Sequence, residues 1–287
     1  MKSRLYVFIG FIILFLSCND IKQTEEKVET KKVDYPSYDL ISENESITVE
    51  SFDSTVVDIN KYNHNNIVYK VGAEFVYEYQ HITKENKIQY FKKAPNDSRI
   101  WHFVDSDSID TSTIKTVKIS VADGNPMSNH IPDYNQTCVK YSFDDEITNS
   151  MSGVIENEAN VWIHPPRSNY FKILELNPFP YIKAPYEIGN EWDWSLQIGD
   201  SWADARWKMW EGSIENKCKY EIIDKIKLET KLGEFACYVI KSTAKSRIGQ
   251  TELTAFFNEK FGFVKLNYTN IDGTKTNLEL IEKRQYL

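Results

Sequence analysis

The sequence lacks the constellations that identify most enzymes. It has no Gly-x-Ser-x-Gly elbow, no phosphate-binding loop and no Gly-x-Gly-x-x-Gly, so serine hydrolysis on an α/β scaffold, nucleotide hydrolysis and dinucleotide chemistry lose their usual signatures. It also has no Cys-x-x-Cys, and none of its five histidines, His64, His81, His102, His130 and His164, stands at His-x-x-x-His spacing. Zinc and redox motifs are thereby absent. Positive charge is in deficit, with 34 Lys and Arg against 42 Asp and Glu and a formal charge of −8. Such a field does not draw a protein to nucleic acid or anionic lipid. No Gly/Pro/Ser-rich linker and no fixed repeat divides the chain, and beyond its start no window carries a long i, i+3, i+4 apolar stripe. No catalytic residue, metal or cofactor is assigned, and the reading leans away from an enzyme.

Long apolar runs are scarce too, and the one at the start is informative. Leu5 to Leu16 follows Lys2 and Arg4 and is separated from Cys18 only by Ser17. A cationic start, a short apolar stretch and a small residue before the cut form an export signal too short to span a bilayer. With cysteine directly after that cut, the segment resembles a bacterial lipoprotein signal. The resemblance implies removal of residues 1–17 and acylation of the new amino-terminal Cys18 with palmitate-type chains, two or more of which hold a protein stably at a membrane. Losing Lys2 and Arg4 takes the formal charge from −8 to −10. Residues 19–45 are charged and poor in aromatic and branched apolar groups, so they do not offset the entropy of ordering. The expected organisation is a signal peptide at 1–17, lipidated Cys18 with a flexible tether over 18–65, and a single globular domain over 66–287. The expected location is the bacterial cell envelope, the outer membrane in preference to the inner, facing periplasm or exterior.

Three cysteines remain after Cys18: Cys138, Cys218 and Cys237. An odd number leaves at least one thiol unpaired. Cys218 and Cys237 flank the turn Thr230-Lys-Leu-Gly233, but a simple hairpin there sets Cys237 opposite a residue near Ile226, so buried thiols are favoured over a bridge.

The domain reads as mainly β, a single antiparallel, meandering, curved sheet of half-barrel or open-barrel form with little helix. Glu74 to Gln80 alternates Phe75, Tyr77 and Tyr79 against Glu74, Glu78 and Gln80, the period of a half-buried strand. Lys84-Glu-Asn86 then turns into Lys87 to Phe91. From Lys217 to Glu229, charged residues share a face that only Ile223 interrupts, opposite Cys218, Tyr220, Ile222, Ile226 and Leu228. Further strands are read at 234–241, 253–257, 263–269 and 276–282, the last two around Asp272-Gly273, which suits a tight turn. Ala203 to Trp210 fits either a helical turn or a strand. This order of hairpins over roughly the last 75 residues, with Val71 to Tyr77, resembles periplasmic half-barrel proteins of the lipoprotein-carrier type. The resemblance implies an acyl chain or other apolar ligand on a concave face.

Five of the seven tryptophans, Trp192, Trp194, Trp202, Trp207 and Trp210, fall within nineteen residues, and Trp192, Trp194, Leu196 and Ile198 point the same way. Tryptophan serves cores, ligand clefts and sugar-stacking platforms alike. Before them, Val161-Trp-Ile-His-Pro-Pro-Arg167 and Leu176-Asn-Pro-Phe-Pro-Tyr181 read as a stiff crossover rather than a central strand, with His164 and Arg167 placed to hold an anionic group. The candidate ligand residues are therefore the five tryptophans with His164 and Arg167. Adjacent carboxylates at Asp144-Asp-Glu146 and at Glu191 and Asp193 read as solvated faces, and Asp105-Ser-Asp-Ser-Ile-Asp110 as a polar loop without the glycine and distal glutamate of a calcium site. The expected function is a non-enzymatic, membrane-anchored envelope lipoprotein whose partners are the membrane, through Cys18, and a lipid or apolar small molecule. The alternatives are a glycan-binding module built on residues 192–210, a hydrolase with a dispersed carboxylate site at Glu191 and Asp193, and a purely structural role.

Overall fold

A computed structural model of the chain describes residues 66–286 apart from 132–133, 135 and 145–149. The signal peptide, Cys18, the tether, Leu287 and the carboxylates Asp145 and Glu146 lie outside the described residues. The chain divides into two units, 1–34 and 35–287, and all described residues belong to the second.

The alternating pattern becomes strands with inner and outer faces. The carboxy-terminal half is a meander: β9 (Glu191–Ile198), β10 (Ile214–Thr230), β11 (Gly233–Ser246), β12 (Gly249–Asn258), β13 (Gly262–Thr269) and β14 (Lys275–Gln285) each pair antiparallel with the next. Thr230 pairs with Gly233, and the register carries Ile226 opposite Cys237, as the turn residues imply. Ile223 is an extra residue where the register of β10 slips between Ile222 and Asp224. That bulge explains the break in the charged face and adds twist to the longest strand.

The amino-terminal half supplies β1 (Ala73–Ile82), β2 (Ile88–Ala94), β3 (Asp97–Asp105), β4 (Thr116–Val121), β5 (Thr137–Phe143), β6 (Ser150–Glu156), β7 (Asn160–Ile163) and β8 (Tyr181–Lys183). β1 pairs with both β14 and β4, which joins the halves into one antiparallel, nearly closed, barrel-shaped sheet in the order β8-β7-β6-β5-β4-β1-β14-β13-β12-β11-β10-β9, with the β2–β3 hairpin to one side. Very little helix is present, all of it short 3-10 turns among the described residues.

Two expectations need correction. Val161 to Ile163 is not a crossover: it lies in β7, paired on both sides, with β6 and β8. The two prolines begin only at Pro165, after the ladder has ended, so they cost it no donor. Ala203 to Trp210 is neither helix nor regular strand. It is a loop closed by an isolated bridge between Asp204 and Lys208, with the Arg206 guanidinium on the Asp204 carboxylate.

The inner face of the sheet is filled by the chain itself. A 3-10 segment at Asn169–Leu176 and the proline-rich stretch after it cross that face, with Phe171, Leu174, Leu176, Phe179 and Tyr181 all buried. Proline leaves Pro178 and Pro180 without a ladder donor, and the segment is anchored through its other polar groups. Thr251 Oγ1 and Asn216 Nδ2 donate to the Leu176 carbonyl, Tyr220 donates to the Phe179 carbonyl, and Asn177 Nδ2 donates to Glu252 and Thr269 carbonyls. Phe171 then packs edge-on to Tyr79 and Phe91 and stacks with Phe143 at 5.4 Å. Aromatic pairs at such distances add about 0.5–1.5 kcal/mol each beyond the area they bury.

The three cysteines are buried and unbridged. Cys218 pairs with Ala244 while Cys237 faces Ile226, so the two thiols sit on different rungs. Burial pushes the Cys218 thiol up to about 12 and that of Cys237 up to about 11, which leaves both without thiolate at neutral pH.

Candidate functional site

The crossing segment does not fill the inner face completely. Between it and the wall formed by β6, β7 and β9 lies a cavity of about 470 Å³, lined by Trp162, His164, Arg167, Glu175, Phe179, Trp194 and Trp202 among others. This is within the range of small-molecule sites. Four of the residues named from the sequence, His164, Arg167, Trp194 and Trp202, meet there, although they come from the loop after β7, from β9 and from the turn beyond it.

The aromatic wall is continuous. Trp162 and Trp194 meet edge to face at 5.9 Å, and Phe179 lies 5.6 Å from Trp162 and 5.1 Å from Trp194. Alternation along β9 turns Trp194 and Leu196 inward while Asp193 and Ser195 face solvent. The small side of the cavity is set by Gly153 on β6, where a Cβ would fall 1.6 Å from Gln136 Oε1.

Set into this apolar wall is a polar pair. His164 Nε2 lies 3.4 Å from Glu175 Oε2, with the side chains 12% and 7% exposed. His164 Nδ1 is 2.8 Å from the Pro165 carbonyl oxygen, which only accepts, so Nδ1 carries a proton and donates it. Nε2 therefore faces Glu175 either as a second N–H or as a bare lone pair. No hydrogen bond forms across that 3.4 Å, and among the described residues Glu175 Oε2 has no hydrogen-bond partner. The indole N–H groups of Trp162 and Trp194 are likewise buried without an acceptor among the described residues. Arg167 donates to the Met151 carbonyl at 3.1 Å. The cavity thus combines flat apolar surfaces with one acceptor and two donors left open, an arrangement suited to a molecule with an apolar body and a polar end.

Glu175 is the member that sequence reasoning missed. Its signal was a single acid enclosed in the apolar run Phe171-Lys-Ile-Leu-Glu-Leu176, since a glutamate is rarely buried without a role.

The tryptophans of residues 192–210 do not form one surface. Trp192 stacks on Tyr220 at 5.3 Å and meets Tyr181 edge-on, inside the core. Trp210 is buried and lines neither cavity described here. Trp207 belongs to a second, smaller cavity of about 280 Å³ with His81, Phe103, Tyr170 and Arg206, where the guanidinium lies over the Tyr170 and Trp207 rings at 4.5 and 4.7 Å. His81 is buried there, and desolvation lowers its pKa to about 4 despite the opposing charge of Asp272. Glu191 and Asp193 stand on the exposed face of β9. Asp110 pairs with Lys92 and caps Ser112, and no cluster of metal-ligating side chains occurs among the described residues.

No family model matches the sequence, and no curated protein does. Similar solved structures include a protein of Bacteroides fragilis classed as exported and having a YmcC-like fold, with a TM-score of 0.43 at 10% identity over 76% of this chain and 98% of that one. A Parabacteroides distasonis protein classed as a lipoprotein gives 0.32 at 11% identity, over 76% of this chain and 97% of that one. The Escherichia coli hypothetical lipoprotein YmcC gives 0.30 at 9% identity, over 79% of this chain and 92% of that one. At these scores nothing about the ligand or activity of this chain follows from them.

Proposed function

We propose that this protein is a non-enzymatic, lipid-anchored protein of the bacterial envelope that binds a small amphipathic molecule in the cavity between β6, β7, β9 and the crossing segment. The anchor is Cys18, argued from the signal that precedes it. The observation that carries the binding reading is the set of polar atoms without a partner among the described residues, Glu175 Oε2 and the two indole N–H groups, inside an aromatic cavity of about 470 Å³. Each costs about 1–3 kcal/mol when buried unmade, and a ligand bearing a hydroxyl or ammonium donor beside an acceptor satisfies them together. The apolar body of the ligand then lies against Trp194, Phe179 and Trp202. Because Asn169 to Pro180 occupies the rest of the inner face, the site suits one compact molecule rather than the acyl chains of a whole lipid.

The test is native mass spectrometry and organic extraction of the mature chain, with Cys18→Ser replacing the anchor, purified from the bacterial periplasm. A bound small molecule at one per chain, lost in a Trp194→Ala variant, is the expected result. Protein that is empty, and whose tryptophan fluorescence does not respond to a panel of single-chain amphiphiles and oligosaccharides, would overturn the proposal.

A further inference from the structure

The smaller cavity, of about 280 Å³, is built around a different polar group and shares no lining residue with the one beside Glu175. Its room is that of about nine waters at about 30 Å³ each. Phe91 and Phe103 enter it from the β2–β3 hairpin, Tyr170 from the start of the crossing segment and Trp207 from the loop between β9 and β10. His81 on β1 and Thr276 on β14 share a rung and line it together. His81 is only 9% exposed, and its ring lies 4.6 Å from that of Phe103 and 5.9 Å from that of Phe91. Neither ring nitrogen has a hydrogen-bond partner among the described residues. Desolvation keeps the imidazole neutral at pH 7, so it offers one N–H and one lone pair. Burying both unmade is unfavourable.

The charged groups at this cavity are already engaged. The Arg206 guanidinium forks onto Asp204 at 2.9 and 2.6 Å and reaches Asn169 Oδ1 at 3.2 Å, and the Asp272 carboxylate accepts from Thr274 N–H and O–H at 3.0 and 2.7 Å. The open groups are neutral. Thr276 Oγ1 accepts from Asn270 Nδ2 at 3.0 Å, while its own O–H has no acceptor among the described residues. The Trp207 indole N–H is buried and also lacks one among them. We infer that this cavity is a second binding site, independent of the first, for an uncharged planar ring of about ten non-hydrogen atoms that carries a donor and an acceptor on one edge. The aromatic walls take the ring faces. The polar edge pairs with His81 and Thr276, which a hydrocarbon leaves unsatisfied and an anion meets without a free cation.

Benzamide is the probe, with toluene and benzoate as its apolar and anionic counterparts, added to the Cys18→Ser mature chain carrying isotope-labelled histidine and tryptophan. Nuclear magnetic resonance should show saturable shifts at the His81 ring and the Trp207 indole, with a dissociation constant on the order of 1 mM or tighter. Toluene and benzoate should bind about 10-fold more weakly or worse. The same affinity for benzamide, within about 2-fold, is expected in Trp194→Ala, so an empty first cavity leaves the result untouched. His81→Phe keeps a ring and removes both polar atoms, so benzamide should weaken about 10-fold while toluene does not. Shifts confined to residues of the first cavity, or none that saturate, would overturn the inference. Toluene or benzoate binding as tightly as benzamide would overturn it as well, as would equal weakening of benzamide and toluene in His81→Phe.

Discussion

His164 and Glu175 form a buried pair 3.4 Å apart, and Glu175 Oε2 has no hydrogen-bond partner among the described residues. A double-mutant cycle separates a structural role from a binding role. His164→Phe keeps an aromatic ring 4.6 Å from Phe179 but leaves Glu175 buried alone, which costs about 3–5 kcal/mol when a buried pair is broken from one side. Glu175→Leu extends the run Leu174 to Leu176 and leaves only His164 Nε2 unpaired, a loss of about 1–2 kcal/mol. The double variant replaces the pair by apolar groups of similar volume, and such replacements are neutral or stabilising by about 1–4 kcal/mol. The two losses therefore fail to add, with a coupling of about 4 kcal/mol or more. Urea unfolding of the Cys18→Ser protein, followed by tryptophan fluorescence with the slope checked for constancy, measures this. A double variant as stable as the parent yet unable to retain the extracted ligand identifies a pair kept for binding. Additive destabilisation would refute the reasoning and assign the pair to the fold.

Three further outcomes follow from other parts of the molecule. His81 is depressed to about 4 by burial, so the unfolded chain binds the extra proton between about pH 6.5 and pH 4; its contribution is complete above pH 6.5 and falls with acidification by up to about 3 kcal/mol, and His81→Phe should flatten that slope in unfolding midpoints measured from pH 4 to 7. Gly153→Ala forces Gln136 away from the cavity wall and should cost about 1–3 kcal/mol while weakening binding, whereas an unchanged midpoint would show that the wall yields freely. Cys138, Cys218 and Cys237 are buried with raised thiol pKa values, so none should react with a thiol reagent at pH 8 until denaturant is added; rapid labelling of the native protein would contradict their placement.

Local chemistry made much of this fold legible. Leu232-Gly233 placed Ile226 opposite Cys237 because a turn fixes the register of the strands it joins, and alternation placed Trp192, Trp194, Leu196 and Ile198 inward. Pairing between distant segments was not legible. The contact of β1 with β14 joins residues about 200 apart in sequence, and no local pattern announces it. The proline-rich stretch was readable as irregular chain, but not as the filling of the inner face, because its anchors Asn216, Tyr220 and Thr251 lie on other strands. The candidate site divided in the same way. His164, Arg167, Trp194 and Trp202 were named from residue type, yet their meeting and the placement of Glu175 depend on the path of that segment. The tryptophan-rich stretch was spread over two cavities and the core because β9 ends at Ile198 and irregular chain carries Trp202, Trp207 and Trp210 elsewhere.

The central claim is that the cavity beside Glu175 holds a small amphipathic molecule, and native mass spectrometry of the Cys18→Ser protein from the periplasm tests it most directly. The account predicts a species heavier than the chain by one small molecule, reduced to the bare chain mass in Trp194→Ala and in Glu175→Leu. A bare chain mass in the parent protein under the gentlest ionisation, with an empty organic extract, would contradict it.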